Sequence, residues 1–100
     1  MSESVDRLRW LAGQMRRLLG EYFAGNVEVP MLVDRLETLI NALAGFADST
    51  WVEEMHVIWG QMEIPYAVSL DEGRSELTAD ERRSVDEAAE ALRAMLEEYE

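Results

Sequence analysis

The sequence predicts an all-α protein, an antiparallel four-helix bundle with a kinked third helix that is apolar on both sides. Four segments repeat apolar residues at spacings of three and four, the period of one helix face. The connections between them, residues 25–29, 45–49 and 71–77, are short enough to make consecutive helices antiparallel neighbours. No segment alternates polar and apolar residues over the length of a strand, so β-structure is not expected. Residues 1–100 are therefore expected to form a single helical domain.

The first two predicted helices each have one apolar face. Gly25 and Gly45 are suitable residues to end these helices. Pro30 suits the first turn of the second helix, where a backbone N–H is not needed. The predicted core positions are Leu8, Leu11, Met15, Leu18, Leu19 and Tyr22 in the first helix, and Val29, Leu32, Leu36, Leu39, Ile40 and Leu43 in the second.

The third and fourth helices are each expected to begin with a capping box, in which a threonine and a glutamate three residues later exchange hydrogen bonds with the backbone. The pairs are Thr50 with Glu53 and Thr78 with Glu81. The predicted core positions are Trp51, Met55, Ile58, Trp59, Met62, Tyr66 and Leu70 in the third helix, and Val85, Ala88, Ala89, Leu92, Met95, Leu96 and Tyr99 in the fourth.

Val57, Ile64 and Val68 fall on the side of the third helix opposite its predicted core face. Such a helix is either buried on both sides in an asymmetric bundle, or buried on one side and docked to a partner by the other. Pro65 interrupts this helix because it has no N–H and its ring crowds the preceding turn. We therefore expect the third helix to kink near Pro65, or to end and restart there.

The net charge of −12 is distributed unevenly along the chain. Residues 1–25 contain three acids and four arginines, a net +1, whereas residues 76–100 contain nine acids and three arginines, a net −6. This field repels nucleic acid and anionic membranes and attracts a basic protein partner. The alternative is that the acidity serves solubility alone. The acids most suited to a partner, expected in two patches, are Glu53, Glu54, Asp71, Glu72, Glu76, Asp80 and Glu81.

The composition of the sequence and the motifs that it lacks exclude several classes of site. There is no cysteine, which fits a cytoplasmic protein and excludes disulfides and thiolate metal sites. The first ten residues lack the apolar stretch of a signal peptide, and no apolar run reaches the length of a membrane span. Neither a glycine-rich phosphate loop nor a nucleophile elbow is present. We expect a cytoplasmic protein without a cofactor or a metal.

His56 and Glu63 lie two helical turns apart and are the best candidates for an acid/base pair or half of a metal site. No HxxxH or HExxH spacing supports a metal. The alternative is that Glu63 pairs with an arginine, with Tyr66 or with a tryptophan N–H. We expect neither residue to be catalytic.

Trp10 falls opposite the core face of the first helix. One interpretation is a protein contact or a dimer seam, because tryptophan and arginine are enriched at interfaces. The other is a tryptophan covered by an arginine side chain. The residues around it are Arg7, Gln14 and Arg17, with Gly13 and Gly20 leaving this side flat.

A small, helical, cysteine-free chain with an acidic half and the pattern W-x7-W-x3-E-x2-YA, from Trp51 to Ala67, resembles the small immunity proteins that bacteria make against their own toxins. The nuclease-colicin members have a very short third helix with paired tyrosines before a proline. Here the third helix is long, and Pro65 precedes a single tyrosine in IPYA. No functional residue can therefore be transferred from that family.

The resemblance implies a stoichiometric inhibitor that covers the basic active site of a toxin domain. Two alternatives belong to other classes. The chain could be a scaffold that self-associates, as a homodimer for example, through the first helix or the back of the third. It could also be a small enzyme using His56 and Glu63, which requires a concave pocket that holds both.

Overall fold

The computed structural model describes residues 3–97, and this part of the chain contains four α-helices and no strand. The predicted all-α class is confirmed. The connections comprise residues 24–28, 44–48 and 72–78, close to the predicted positions. The helices are α1 (Glu3–Phe23), α2 (Val29–Leu43), α3 (Ser49–Asp71) and α4 (Ala79–Leu96).

Each helix packs against two neighbours, in the pairs α1–α2, α2–α3, α3–α4 and α4–α1. Two hydrogen bonds show that α1 and α4 are antiparallel. Arg16 Nη1 donates to the carbonyl of Leu96 at 3.3 Å, and the hydroxyl of Tyr22 donates to Asp86 Oδ1 at 2.6 Å. The arrangement is an up-down four-helix bundle, in which α1 and α3 occupy diagonally opposite corners. Their outer faces therefore point away from each other.

The core forms where the predicted apolar faces meet. The predicted core positions of α1 are all buried, and those of α2 are buried except Leu39, which is half-buried. In α4 the predicted residues are buried except Met95, which is half-buried, and Tyr99, which lies outside the described residues. Removing these side chains from water is the main stabilising contribution to the fold. Three further residues complete the core: Ala12, Val33 and Val52.

In α3 the predicted face divides into three levels of burial. Met55 and Met62 are fully buried, whereas Leu70 is 58% exposed and the prediction that it belongs to the core is wrong. Leu70 lies in the last turn of α3, at the edge of the buried face, and most of its side chain remains in water. The remaining predicted residues are half-buried against the core: Trp51, Ile58, Trp59 and Tyr66.

Local signals account for the helix ends. The predicted capping box of α4 is confirmed, with Thr78 and Glu81 exchanging both hydrogen bonds. The box predicted for α3 is wrong, because Asp48 is its N-cap and accepts from the N–H of Thr50 at 3.2 Å. Asp is as good an N-cap as Thr, and it lies two residues earlier, so the helix gains half a turn.

Pro65 lies within α3, which continues as a single helix from Ser49 to Asp71. The expected end and restart at Pro65 does not occur. A proline removes one N–H from the helical ladder, and the packing of α3 against both α2 and α4 holds the turns on either side of it. A bend without a break at this position stays a prediction. No helix within residues 3–97 is both long enough and apolar enough to cross a bilayer.

Candidate functional site

The outer side of α3 carries an exposed apolar row, which we call the outer stripe and define as Val57, Ile64 and Val68. Their exposed fractions are 67%, 61% and 42%. They share one face because spacings of seven and four residues return to nearly the same side of a helix. The opposite face holds the buried Met55 and Met62. Of the two arrangements left open by the sequence, burial of α3 on both sides is therefore wrong.

Acidic residues lie at both ends of the outer stripe. Glu53 and Glu54 precede Val57 by one turn, and Asp71 follows Val68 by three residues. All three are exposed. Seventeen residues separate Glu54 from Asp71, which corresponds to about 26 Å along a helix. The acids thus form two patches with the apolar row between them, and α3 contains no arginine.

The acids of the connection between α3 and α4 are organised around Arg74, which sequence reasoning missed. Its guanidinium contacts Glu72 at 2.7 Å and forms two hydrogen bonds with the carboxylate of Glu81, at 2.7 and 2.9 Å. It also donates to the carbonyl of Glu76. A signal was available, since Arg74 is the only arginine between Arg35 and Arg82.

These contacts separate the predicted acids that are already engaged within the protein from those whose carboxylates can still meet a partner. Glu81 is occupied by Arg74 and by the N–H of Thr78, so its role is structural. Asp80 is exposed and lies 3.9 Å from Arg83. Together with the three acids at the ends of the outer stripe, Asp80 and the exposed side chain of Glu76 are the carboxylates best placed to meet a partner.

The Arg74 contact contributes to the acid dependence of the fold through Glu81. Hydrogen bonds from Arg74, and then from the backbone of Thr78, lower the pKa of Glu81 from 4.5 to about 2. A carboxyl whose folded pKa is depressed stabilises the protein above its ordinary pKa, and that contribution is lost as the pH falls towards the folded value. We expect Glu81→Gln to lower the free energy of unfolding at pH 7 and to have progressively less effect from about pH 4.5 to about pH 2.

Denaturant titrations of the wild type and of Glu81→Gln across this pH range measure the effect. Arg74→Gln removes the same contact from the other side, and the double variant completes a cycle. The coupling between the two substitutions should be present at pH 7 and absent near pH 2. A coupling that is constant with pH would show that the Arg74 contact does not hold Glu81 ionised.

A second polar cluster joins α1 to α4 around Tyr22. Its hydroxyl donates to Asp86 at 2.6 Å and accepts from Arg82 Nη1 at 3.3 Å. Burial, followed by the hydrogen bond to Asp86, raises the pKa of Tyr22. The cluster borders an open concavity of about 870 Å³ at this end of the bundle, which Arg74 and Leu70 also line. Because each polar atom named here has a partner within the cluster, it fixes α1 against α4.

His56 and Glu63 are half-buried on one side of α3. Trp59, one of the expected partners of Glu63, does not donate to it, because Trp59 Nε1 donates instead to the carbonyl of Val33 at 2.9 Å. Neither His56 nor Glu63 lines the concavity described above or the shallower one beside Phe23. Within residues 3–97 no group of three or more His, Asp or Glu side chains is arranged to hold a metal ion.

Trp10 lies on the outer face of α1, and an arginine covers part of its ring, as one of the two interpretations made from the sequence expects. The other interpretation, a protein contact, stays a prediction. The guanidinium of Arg7 stacks over its ring at 5.1 Å from the centroid, yet 53% of the residue is exposed. Gly20, ten residues further along this side, has open space around it. The outer face of α1 therefore presents an exposed aromatic ring with an arginine against it.

Neither a protein-family model nor a curated protein nor a solved structure matches this chain.

Proposed function

We propose that this protein is a protein-binding module that docks a basic protein partner on the outer stripe of α3, as an immunity-type inhibitor docks on a toxin domain. The observation that carries the proposal is the exposure of Val57, Ile64 and Val68 in one row with carboxylates at both ends. A contact of this kind combines an apolar centre, which excludes water, with a charged rim.

The charges around the outer stripe indicate the sign of the partner's charge. The rim of the outer stripe holds Glu53, Glu54 and Asp71, and no arginine of α3 offsets them. Like charges brought together across an interface cost several kcal/mol, and opposite charges accelerate the encounter. A partner with an apolar patch flanked by lysines or arginines fits this surface.

The length of the outer stripe limits how much of the contact it can provide. Val57 and Val68 are eleven residues apart, about 16 Å along the helix. A stable interface buries about 800 Å² on each partner, which is more than one helix face of this length provides. The edges of α2 and α4 next to α3 would complete it, and exposed positions of α2 on the side away from α3 would stay outside it. If the partner is a nuclease, an interface of this size is large enough to exclude its substrate.

The experiment starts with a photo-crosslinking amino acid at Val57, with the same group at Thr38, an exposed position on α2, as control. A protein that is crosslinked from position 57 but not from position 38 is then produced in pure form. We expect it to be basic and to bind the wild-type chain with one-to-one stoichiometry. Its enzymatic activity, measured with and without the chain, tests whether binding inhibits it.

Ile64→Glu places a charge in the middle of the outer stripe and should weaken binding of the purified partner by about 30-fold or more. Met31→Glu makes the same kind of change at an apolar position of α2 that is 47% exposed, and should leave the dissociation constant within about twofold. Surface plasmon resonance measures both. An acidic partner, or unchanged affinity in Ile64→Glu, would contradict the proposal.

A further inference from the structure

Two residues of the outer stripe belong to a heptad pattern on the outer side of α3, which we call the outer seam. Six residues follow one another at alternating spacings of four and three, as the a and d positions of a coiled coil do. All six are exposed except Gly60, which is half-buried. In order, they are Glu53, Val57, Gly60, Ile64, Ala67 and Asp71. The outer seam therefore alternates β-branched and small residues between two acids.

The small residues leave two hollows in the outer seam. A Cβ atom added at Gly60 would meet no other heavy atom within 4 Å. When helices pack, a large side chain of one helix enters the hollow between four residues of the other, at i, i+3, i+4 and i+7. The two hollows lie between Val57, Gly60, Gln61 and Ile64, and between Ile64, Ala67, Val68 and Asp71. They are seven residues apart, about 10.5 Å along α3.

We propose that the partner docks on the outer stripe through an amphipathic α-helix, which inserts leucine-sized side chains into the two hollows and carries lysines or arginines at both ends. The inference rests on the proposed function and names the docking element. Small residues let helix axes approach closely, so the partner supplies the large side chains. Its basic residues meet Glu53 and Asp71, which are eighteen residues apart, about 27 Å along a helix.

The distance between the hollows selects a helix over a strand. Side chains on one face of a helix recur after seven residues, or about 10.5 Å, which equals the separation of the hollows. Side chains on one face of a strand recur after about 6.7 Å. A strand that filled the first hollow would therefore place its next side chain against Ile64 and not in the second hollow.

The outer seam of a second copy of this chain does not fit the outer seam of the first. Face to face, two outer seams would bring carboxylates together at both ends, and such like charges are destabilising. Glycine and alanine would also leave the hollows unfilled. The occupant is therefore a helix of opposite charge and larger side chains.

The probe is a synthetic peptide of about 21 residues, or three heptads, held helical by a hydrocarbon bridge on its far side. Leucines occupy successive a and d positions in its middle, and lysines occupy its first and last turns. A control peptide has the same composition with its leucines spread around the helix. Fluorescence anisotropy measures the binding of each labelled peptide. The seam peptide should bind the wild-type chain with a dissociation constant of about 100 µM or below, and the control about tenfold or more weakly.

Gly60→Leu distinguishes a hollow from a surface that is merely apolar. The added side chain fills the first hollow, so binding of the seam peptide should weaken by about tenfold or more. On a surface without hollows, the same change adds apolar area and would tighten binding.

Gly20→Leu is the matched control, because Gly20 is also a helical glycine with open space around it, on α1. It should leave the affinity for the seam peptide within about twofold of the wild type. Both substitutions remove a glycine from a helix, so the melting temperatures measured by circular dichroism should not fall. A loss of binding in Gly60→Leu would then not result from unfolding.

Three results would overturn the inference: unchanged or tighter binding of the seam peptide to Gly60→Leu, equal binding of the two peptides, or no binding of the seam peptide to the wild type at about 1 mM. The partner purified by crosslinking separates this inference from the proposed function. If Ile64→Glu weakens the partner's binding and Gly60→Leu does not, the outer stripe is the docking surface but a helix seated in the hollows is not the docking element. Weakening by both supports both proposals.

Discussion

Replacing Leu36 with alanine is expected to lower the free energy of unfolding by about 2–5 kcal/mol. Leu36 is fully buried, on the core face of α2. The loss combines the transfer free energy of the removed methyl groups with the cost of the cavity that the rigid surroundings leave unfilled. Domains of this size are stable by about 5–15 kcal/mol in total, so a single substitution removes a large share. Urea denaturation with linear extrapolation measures the change.

Leu70→Ala is the matched control, since it removes the same atoms from a leucine that is 58% exposed. The expected loss is below about 1 kcal/mol, because most of this side chain is in water in the folded state. The slope of unfolding free energy against urea should stay the same in both variants, which would show that the folded and unfolded states keep their compactness. Equal losses at the two positions would contradict the division between core and surface described here.

The core could be predicted because burial in a four-helix bundle follows directly from helical periodicity. Every predicted position of α1 is buried, since a single stripe of apolar residues has one way to meet its neighbours. Prediction was weaker for α3, where apolar residues lie all round the helix and periodicity no longer selects a face. There, the sequence could not decide whether Val57 and Ile64 are buried, and it assigned Leu70 to the core wrongly.

The polar contacts were less predictable because they depend on distant parts of the chain. The capping box of Thr78 and Glu81 is a local pattern and was found. The hydrogen bond between Tyr22 and Asp86 joins residues 64 positions apart, and no pattern within either helix indicates it. The Arg74 contacts depend on the path of the chain between α3 and α4. That path is fixed by Gly73, whose φ of 70° is one that other residues rarely adopt.

The same distinction applies to the proposed binding surface. The acids could be named from the sequence, but which of them are available could not. Glu81 was grouped with the partner-binding acids, and the structure shows that its carboxylate is occupied by Arg74 and the N-terminus of α4. Reversing its charge would therefore disturb the helix start as well as any partner contact. A test of electrostatic attraction should use acids without such contacts.

Reversing Glu53, Glu54 and Asp71 to arginine is expected to slow association with the basic partner by about tenfold to a thousandfold at low salt. Electrostatic attraction acts on the encounter before contact, so the association rate changes more than the dissociation rate. The control triple variant reverses Asp6, Asp34 and Glu87, exposed acids of α1, α2 and α4, and changes the net charge equally. Stopped-flow kinetics at about 20 mM and about 500 mM salt measures both, since screening should remove most of the difference at high salt. Equal slowing by the two triples would mean that the partner senses only total charge, and no slowing by either would leave the acidity as a contribution to solubility.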